Sequence, residues 1–502
     1  MPSARSLLGL SLLTHSACAD RCDYAWIQTD AAGARLIEAR ATVKARADRA
    51  RGLVALQVPR SELPVISGAM HEELRRCAGF AQRDPERPAA RAVKAAHAPY
   101  TLDNQATVTP LLAELKVDNV LATIQALSAM HDRHHETASG KQAALDIRDR
   151  WQGYAAQRPD VKVELIEHEE TPQPSVSLTI PGKLQPQQRV ILGGHLDSIN
   201  HEEKGGKAPG ADDNASGIAV LSEVIRVALA GRYEPARTVV FYGYAAEEIG
   251  LVGSGEIAAE ADAANQQIEG VLQLDMTNYN LSAMPYISLV TDYTDPVLNE
   301  LGRKLIEQYV KVPYKTDECG YACSDHASWD DHGFPANHVF ESLGDESNPK
   351  IHTDEDTLAL TQGKADHSMY FARYAVAFMA EVAKGTLAAP DDAKGGAGGM
   401  AGTGGSAGTT NGGSGGTFVG GAGSGGAASG AGAMSGGASG GAGTPAVIAG
   451  ASPVAGSGAK LAADGEADAS CACGVRVSGA PGYGWLALLL LASAARRRSS
   501  PA

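Results

Sequence analysis

The ten residues RVILGGHLDS (189–198) decide the fold class of this chain. The run RVIL is apolar in the manner of a buried strand, and two glycines lead from it directly to His195 and Asp197. The segment ASGIAVLSEVIRVALAG (215–231) then repeats its apolar residues at helical spacing. A buried strand followed by an amphipathic helix predicts an α/β fold, in which a mostly parallel sheet is sandwiched by helices.

The same alternation of strands and helices runs through most of the chain. Further predicted strands are TVVFYGYAA (238–246), GVLQLDM (270–276), YISLVTD (286–292) and PANHVFES (335–342). Predicted helices are TPLLAELKVDNVLATIQALSAM (109–130), GSGEIAAEADAAN (253–265), PVLNELGRKLIEQYV (296–310) and SMYFARYAVAFMAEVAKG (368–385). One large domain, over residues 100–388, accounts for these segments.

The composition of the chain restricts its partners. The formal charge of −15 lacks the basic excess of a nucleic-acid-binding protein, so no nucleic-acid partner is expected. Hydrophobic residues make up 44% of the chain, which is enough for a sizeable core. Most of the 58 glycines follow Gly395, in a Gly/Ala/Ser-rich tract that holds too few apolar residues to fold. We interpret residues 389–470 as a disordered linker.

The two ends of the chain indicate export. Residues 1–19 are typical of a signal peptide, because Arg5 precedes a short apolar run and Ala17-Cys18-Ala19 forms an A-x-A cleavage signal. A lipoprotein acylated at Cys18 is the alternative. Residues 471–502 combine a Cys motif, the apolar run GYGWLALLLLASAA as a transmembrane segment, and three arginines. This layout resembles the C-terminal sorting tails of myxobacterial surface proteins. It implies a cell-surface or released protein, a sorting machinery as partner, and membrane contact through the tail alone.

Residues 20–99 form a separate small α+β unit. GLVALQVP (52–59) predicts a strand and SGAMHEELRRCAGF (67–80) a short helix. The basic, proline-bearing stretch ERPAARAVKAAHAP (86–99) then offers a site to a processing protease. The cysteines predict a small-loop disulfide between Cys319 and Cys323, and a second pairing between Cys22 and Cys77.

Acidic and histidine side chains gather where the predicted strands end, which is the edge at which open α/β sheets form their sites. Without a cation, six carboxylates and two imidazoles cannot share one cleft. Mixed histidine and carboxylate ligands favour zinc, and their number favours two metal ions bridged by a shared carboxylate. The residues are His195, Asp197, Asp212, Asp213, Glu247, Glu248, Asp275 and His352.

Six motifs carry a resemblance to a known family. GGHLDS, PGADDNASG, AAEEIGLVGS, LQLDMTNY, CGYACSDHASW and IHTDEDT, in this order, resemble the motifs of the bacterial leucyl aminopeptidases, which are secreted exopeptidases with two zinc ions. The resemblance covers residues 100–385 and implies the mixed, mostly parallel sheet of that fold. Residues 20–99 are similar to the removable inhibitory propeptide of the family.

The resemblance also implies a role for each site residue. Asp212 is expected to bridge the two zinc ions, with Asp213 shaping the turn beside it. His195 and Asp275 are expected to complete one zinc site, and Glu248 and His352 the other. The catalytic group comprises Glu247 as general base, Asp197 as the residue that orients the His195 ring, and Tyr321 as a donor to the oxyanion.

The side-chain pocket is expected to be lined by Met276, Val290, Phe340 and Ile351, together with Cys319 and Cys323. The family places aromatic residues between Phe340 and His352, where this chain has Gly344 and Ser347 and carries Asp345 and Glu346. We therefore expect hydrolysis of hydrophobic N-terminal residues from peptides, with a weaker hydrophobic preference than is usual in the family.

Three other functions stay open on the same scaffold, namely a zinc carboxypeptidase, a deacylase and a glutaminyl cyclase. A binding module that has lost its metals is the alternative outside the enzymes. The histidines His134, His135 and His326 are interpreted as packing or surface residues.

Overall fold

The computed structural model describes residues 24–49, 52–74, 76, 79–83 and 99–389. The predicted signal peptide, the linker, the C-terminal tail and the Cys22–Cys77 pair lie outside these residues. Within the described ranges, none of the helices is both long and apolar enough to cross a membrane.

The N-terminal segment, residues 24–83, is a four-stranded antiparallel sheet with two helices. Its strands are β1 (Tyr24–Thr29), β2 (Ala45–Asp48), β3 (Val54–Pro59) and β4 (Ala81–Gln82), in the order β2-β3-β1-β4. The helices are α1 (Ala31–Arg40) and α2 (Leu63–Leu74), whose apolar residues close a small core with β1 and β3. Asp30 caps α1 by accepting a hydrogen bond from Gly33. The expected α+β unit is confirmed.

An eight-stranded mixed sheet forms the centre of residues 99–389. Its strands are β5 (Lys162–Ile166), β6 (Ser175–Ile180), β7 (Gln185–His195), β9 (Arg237–Tyr244), β10 (Gln267–Leu274), β11 (Ile287–Val290), β12 (Tyr314–Asp317) and β13 (Ala336–Phe340). The order is β12-β11-β13-β10-β7-β9-β6-β5, in which β13, β10, β7 and β9 run parallel to one another. A two-stranded sheet pairs β8 (Tyr233–Glu234) with β14 (Thr386–Leu387).

Helices cover both faces of the central sheet, as the sequence predicted. They are α3 (Gln105–Ala113), α4 (Val117–Ser128), α5 (Ala138–Tyr154), α6 (Ala215–Ala230), α7 (Val252–Ala263), α8 (Pro296–Leu305), α9 (His326–Asp331) and α10 (Ser368–Ala383). Alternate residues of β7 point to opposite faces. Val190 and Leu192 join the core under α6 and α10, whereas Ile191 joins the core formed with α7 and α9.

Some elements differ from their prediction. Residues 109–130 were expected as one helix, but the chain leaves the helix after Ala113 and resumes at Val117. The strands β5 and β6 and the helix α5 were not predicted. β5 and β6 are antiparallel strands at one edge of the sheet, where fewer apolar residues are needed than in the buried parallel strands.

Candidate active site

The candidate ligands lie at the carboxyl ends of the central parallel strands. His195 is the last residue of β7, and Asp275 follows β10 directly. Glu247 and Glu248 follow β9 in the loop that leads to α7, and His352 lies in the loop after β13. Gly193 makes room for the Tyr244 side chain here, since a Cβ atom at this position would lie 2.2 Å from the Tyr244 ring. The fold therefore delivers these residues to one edge of the sheet, as the sequence predicted.

The side chains form two groups that share Asp213. The Nε2 atom of His195 lies 3.1 Å from Oδ1 of Asp213 and 3.2 Å from Oδ1 of Asp275. The Nε2 atom of His352 lies 3.1 Å from Oδ2 of Asp213 and 2.8 Å from Oε2 of Glu248. Each group has three ligand atoms close enough together to hold a metal ion. Asp213 presents one oxygen to each group, as a bridging carboxylate must.

This geometry corrects the assignment of Asp212. The sequence analysis placed Asp212 between the two groups, but its carboxylate points the other way. It accepts hydrogen bonds from the backbone N–H of Asn278 at 3.0 Å and from Nδ2 of Asn348 at 3.3 Å. Successive side chains project in different directions, so motif spacing alone could not decide which of two adjacent acids faces the site. The expectation that Asp213 merely shapes the turn is wrong for the same reason.

Glu247, the predicted general base, lies next to the candidate ligands. It is fully buried beside His195 and Glu248, and neither of its carboxylate oxygens accepts a hydrogen bond from the described residues. Burial raises the pKa of Glu247 well above its usual range, and the neighbouring Glu248 charge adds to this although His195 opposes it. A buried carboxylate without donors and with a raised pKa is suited to accept a proton.

Asp197 holds the Glu247–Glu248 pair in place as well as facing His195. Its oxygens accept hydrogen bonds from the backbone N–H groups of Glu247 at 3.0 Å and Glu248 at 3.1 Å. Oδ1 of Asp197 also lies 3.5 Å from Nδ1 of His195, on the side of the ring away from Asp213. Asp197 therefore connects His195 at the end of β7 with Glu247 and Glu248 after β9.

The buried carboxylates of the site shift the pKa of both candidate histidine ligands. Burial lowers the pKa of His352, but Glu248 and Asp213 outweigh burial and raise it to about 10. The pKa of His195 also lies well above its usual range, because Asp275 and its neighbours outweigh burial. Burial and the Asp213 charge raise the pKa of Glu248 to about 7. The same negative charges that raise the pKa of the two histidines also favour the binding of a metal cation.

Several residues at the site adopt left-handed backbone conformations that side chains rarely take. Ala246, immediately before Glu247, has a φ of 52°, Met276 after Asp275 has 53°, and His352 itself has 59°. Left-handed backbone at non-glycine residues costs energy and concentrates at functional sites. The strained residues are thus His352 itself and the immediate neighbours of Glu247 and Asp275.

The predicted disulfide between Cys319 and Cys323 is present and encloses Tyr321. Of the predicted pocket residues, Met276 and Val290 are buried, and Phe340 and Ile351 are partly buried. Ser288 of β11, two residues before Val290, is paired with Phe340 of β13, so two of the four come from adjacent strands. Met276 and Ile351 stand next to the candidate ligands Asp275 and His352 in the chain.

Arg133 is a site residue that sequence reasoning missed. Its guanidinium is fully buried and donates to the carbonyls of Leu196 at 2.9 Å, Pro209 at 2.5 Å and Gly210 at 2.9 Å. Burial lowers the pKa of Arg133, and the charges of Asp356, Asp213 and others oppose this. The MHDRHHETASG stretch that contains Arg133 gave no signal for it, because Arg133 acts on backbone carbonyls of loops that are distant in sequence.

Buried acids around the ligands were missed as well. Glu341 accepts a hydrogen bond from the backbone N–H of Tyr279 at 2.6 Å, and Asp356 accepts one from that of Asp213 at 3.0 Å. Ser324 donates to Oδ2 of Asp275 at 2.5 Å. His135 and His326 are buried, as expected of packing residues.

The N-terminal segment lies directly over the candidate ligands. Ser67 of α2 donates to the carbonyl of Glu248 at 3.1 Å, and Gln82 donates to the carbonyls of Ile249 at 2.9 Å and Gly250 at 2.8 Å. The Arg76 guanidinium stands over the Tyr321 ring, 5.1 Å from its centroid. A bidentate pair between Arg60 and Glu170, at 2.9 and 2.8 Å, adds a contact away from the site.

The arrangement fits two divalent metal ions. Imidazole nitrogens and carboxylate oxygens are the ligands that zinc prefers in enzymes. Three carboxylates and two imidazoles supply ligand sets for two ions, with one carboxylate facing both. The buried oxygens of Glu247 remain outside both sets as an acceptor for a proton.

Comparison with known proteins identifies the family of the chain. Residues 175–376 match the model of Peptidase family M28. A probable leucine aminopeptidase of Arthroderma benhamiae is 35% identical over 295 residues, which are 58% of this chain and 80% of that protein. Leucine aminopeptidase 1 of Coccidioides posadasii is 35% identical over 299 residues, 57% of this chain and 76% of that protein.

Two solved structures from Legionella pneumophila resemble the fold. The crystal structure of LapB aligns with a TM-score of 0.64 at 26% identity, over 72% of this chain and all of the LapB chain. The LapA aminopeptidase aligns with the same score and identity, over 72% of this chain and 99% of its own.

Proposed function

This chain belongs to peptidase family M28 and is a zinc-dependent aminopeptidase, and we propose that it works with two zinc ions bridged by Asp213. His195 and Asp275 complete one binding site, and Glu248 and His352 complete the other. The observation that carries the proposal is the position of Asp213, with one oxygen 3.1 Å from each histidine.

The residues of the chain divide the work of peptide hydrolysis. Zinc, when bound, polarises the carbonyl of the scissile bond and makes a water molecule more acidic. Glu247 accepts a proton from the attacking water on its carboxylate and passes it to the amine that leaves as the C–N bond breaks. Tyr321 donates a hydrogen bond to the oxygen of the carbonyl as it gains charge. Asp197 keeps the His195 ring and the Glu247 backbone in position.

The experiment that tests the function compares substrates with free and blocked ends. We expect hydrolysis of leucyl-p-nitroanilide that is lost after chelation and restored by zinc, and no hydrolysis of N-acetyl-leucyl-p-nitroanilide. Cleavage of a blocked peptide from its carboxyl end, removal of the acyl group, or cyclisation of an N-terminal glutamine would instead identify one of the related activities. A chain that binds no zinc and acts on none of these substrates would contradict the aminopeptidase function and the three related activities.

We propose a hydrophobic preference that is broader than usual in the family. The pocket residues Met276, Val290, Phe340 and Ile351 are apolar, and the loop with Gly344 and Ser347 adds no ring to them. An aromatic ring contributes about 150–250 Å² of apolar surface, so the missing rings leave a wider and wetter pocket. A panel of aminoacyl anilides should give a flattened series of kcat/KM values. A leucine-to-lysine ratio above about 1000, or ~4 kcal/mol, would contradict it.

We also propose that residues 20–99 are an inhibitory propeptide. The contacts of Ser67 and Gln82 with residues 248–250, and of Arg76 with Tyr321, support this, because they occupy the approach to the ligands. Limited proteolysis within residues 84–98 should raise the activity of the full chain. An uncut chain that already has full activity would show that the segment does not inhibit.

Export and surface anchoring rest on the sequence alone. We propose that the signal peptide directs export, that a processing protease removes the N-terminal segment, and that the C-terminal tail anchors or releases the enzyme at the cell surface. Fractionation of cells expressing the full chain, and of cells expressing it without residues 471–502, tests this. Activity retained inside the cytoplasm in both cases would contradict export.

A further inference from the structure

Three imidazoles meet where the N-terminal segment contacts the rest of the protein. His71 lies on α2 of that segment, His201 lies in the loop after β7, and His352 is the ligand described above. The ring centroid of His71 lies 4.4 Å from that of His201 and 4.8 Å from that of His352. The centroids of His201 and His352 are 5.9 Å apart. We call these three residues the seam cluster.

The spacing of the seam cluster suits one metal ion. Two imidazoles bound to a tetrahedral zinc at ~2.1 Å have ring centroids about 5 Å apart, and the three observed separations bracket this value. One nitrogen from each ring lies within 4.8 Å of the other two. The rings of His71 and His201 are tilted by 39° and are not stacked in parallel. Three converging imidazoles are a ligand set that zinc accepts readily.

The surrounding contacts hold the seam cluster together from both sides. The backbone N–H of His201 donates to the carbonyl of His352 at 3.1 Å, which fixes these two residues relative to each other. On α2, Ser67 stands one turn before His71 and anchors the helix on the carbonyl of Glu248. Burial and the neighbouring His352 lower the pKa of His201, although Glu202 and Glu72 oppose this, and a neutral imidazole is the form that binds a metal ion. The site is thus complete only when the N-terminal segment is in place.

We propose that the seam cluster is a zinc site that competes with the catalytic centre for His352. The proposal rests on the proposed function only in that it assigns His352 to the second zinc ion. A neutral imidazole offers one nitrogen lone pair, because its other nitrogen carries a proton, so His352 serves one metal at a time. In the uncut chain the second zinc binds His71, His201 and His352. Removal of the segment takes His71 away, and the ion moves to Asp213, Glu248 and His352.

The test measures metal binding by the uncut, full-length chain. Cobalt(II) replaces zinc as a visible probe, and zinc affinity is measured by competition with a chelator. In both His71→Gln and His201→Gln, we expect the second metal ion to bind at least about tenfold more weakly or to give a changed cobalt spectrum. The affinity and the spectrum of each variant should then match those of the wild-type chain cut within residues 84–98. His131→Gln, a change at a largely exposed histidine outside the cluster, should leave both readouts unchanged.

The two variants sit on opposite sides of the contact, so a folding defect in one does not decide the outcome. An affinity and a spectrum that are unchanged in both His71→Gln and His201→Gln would overturn the proposal. Failure of the proposed function would appear separately, as a cut wild-type chain that binds zinc but does not hydrolyse leucyl-p-nitroanilide.

Discussion

Replacing Asp213 and Asp212 one at a time, each by asparagine, tests the placement of the bridging carboxylate. Asparagine keeps the shape of aspartate and removes its charge. The two oxygens of Asp213 each lie 3.1 Å from a candidate ligand nitrogen, one on His195 and one on His352. The oxygens of Asp212 instead accept from Asn278 at 3.0 Å and from Asn348 at 3.3 Å. Asp213→Asn therefore acts on both metal ions, whereas Asp212→Asn acts only through the turn that carries Asp213.

The expected losses follow from these positions. A residue that orients a ligand without binding the metal is worth about 10–100-fold in affinity, or ~1.4–2.7 kcal/mol. We expect Asp212→Asn to fall in this range. Asp213→Asn should exceed about 100-fold for both ions, because it removes a ligand from each.

The assay is chelator competition with zinc content measured on the cut enzyme, and circular dichroism checks that both variants are folded. The test is which of the two variants loses more zinc affinity. A larger loss in Asp212→Asn than in Asp213→Asn would refute the reasoning and restore the assignment made from sequence.

Three further predictions concern other parts of the molecule. Glu247→Gln should keep its zinc but lose about 10²–10⁴-fold in kcat, and an unchanged kcat would remove Glu247 from its role as base. Arg133→Met should lower the free energy of unfolding by about 3–5 kcal/mol in urea titrations, because buried carbonyls and carboxylates lose their partner, whereas Arg303→Met on the surface of α8 should change it little. Burial lowers the pKa of His367 to about 4, whereas an unfolded histidine has a pKa of about 6.5. The unfolded chain therefore binds more protons between these values, so stability is full above about pH 6.5 and falls as the pH drops towards 4. His367→Asn should flatten this decline in urea midpoints, and an equally steep decline would contradict the assignment.

The fold was predictable because its central strands are buried on both faces. RVILGG and TVVFYGYAA are each an uninterrupted run of apolar residues and glycine after the first residue, and each is followed by an amphipathic helix, so the parallel core of the sheet could be derived from local pattern. The edge strand β5 and its neighbour β6 carry more polar residues and gave no comparable signal. The break between α3 and α4 was missed because helical spacing continues across residues 114–116.

The composition of the site was also predictable, since its residues directly follow those strands. The choice between Asp212 and Asp213 was not, because it depends on the direction of two neighbouring side chains. Arg133, Glu341 and Asp356 could not be found from sequence for a related reason. Their partners are backbone groups of distant loops, and such contacts leave no pattern in the chain itself.

The N-terminal segment contacts residues 248–250 through the main-chain carbonyl groups of these residues. The hydrogen bonds that Ser67 and Gln82 donate to residues 248–250 end on carbonyl oxygens, so they do not depend on which side chains the loop carries. Gly250 is tied to the segment by its lack of a side chain, since it has a φ of 106° and a Cβ atom there would lie 2.8 Å from the Phe80 ring. Substitutions of the side chains at residues 248 and 249 therefore leave these hydrogen bonds in place.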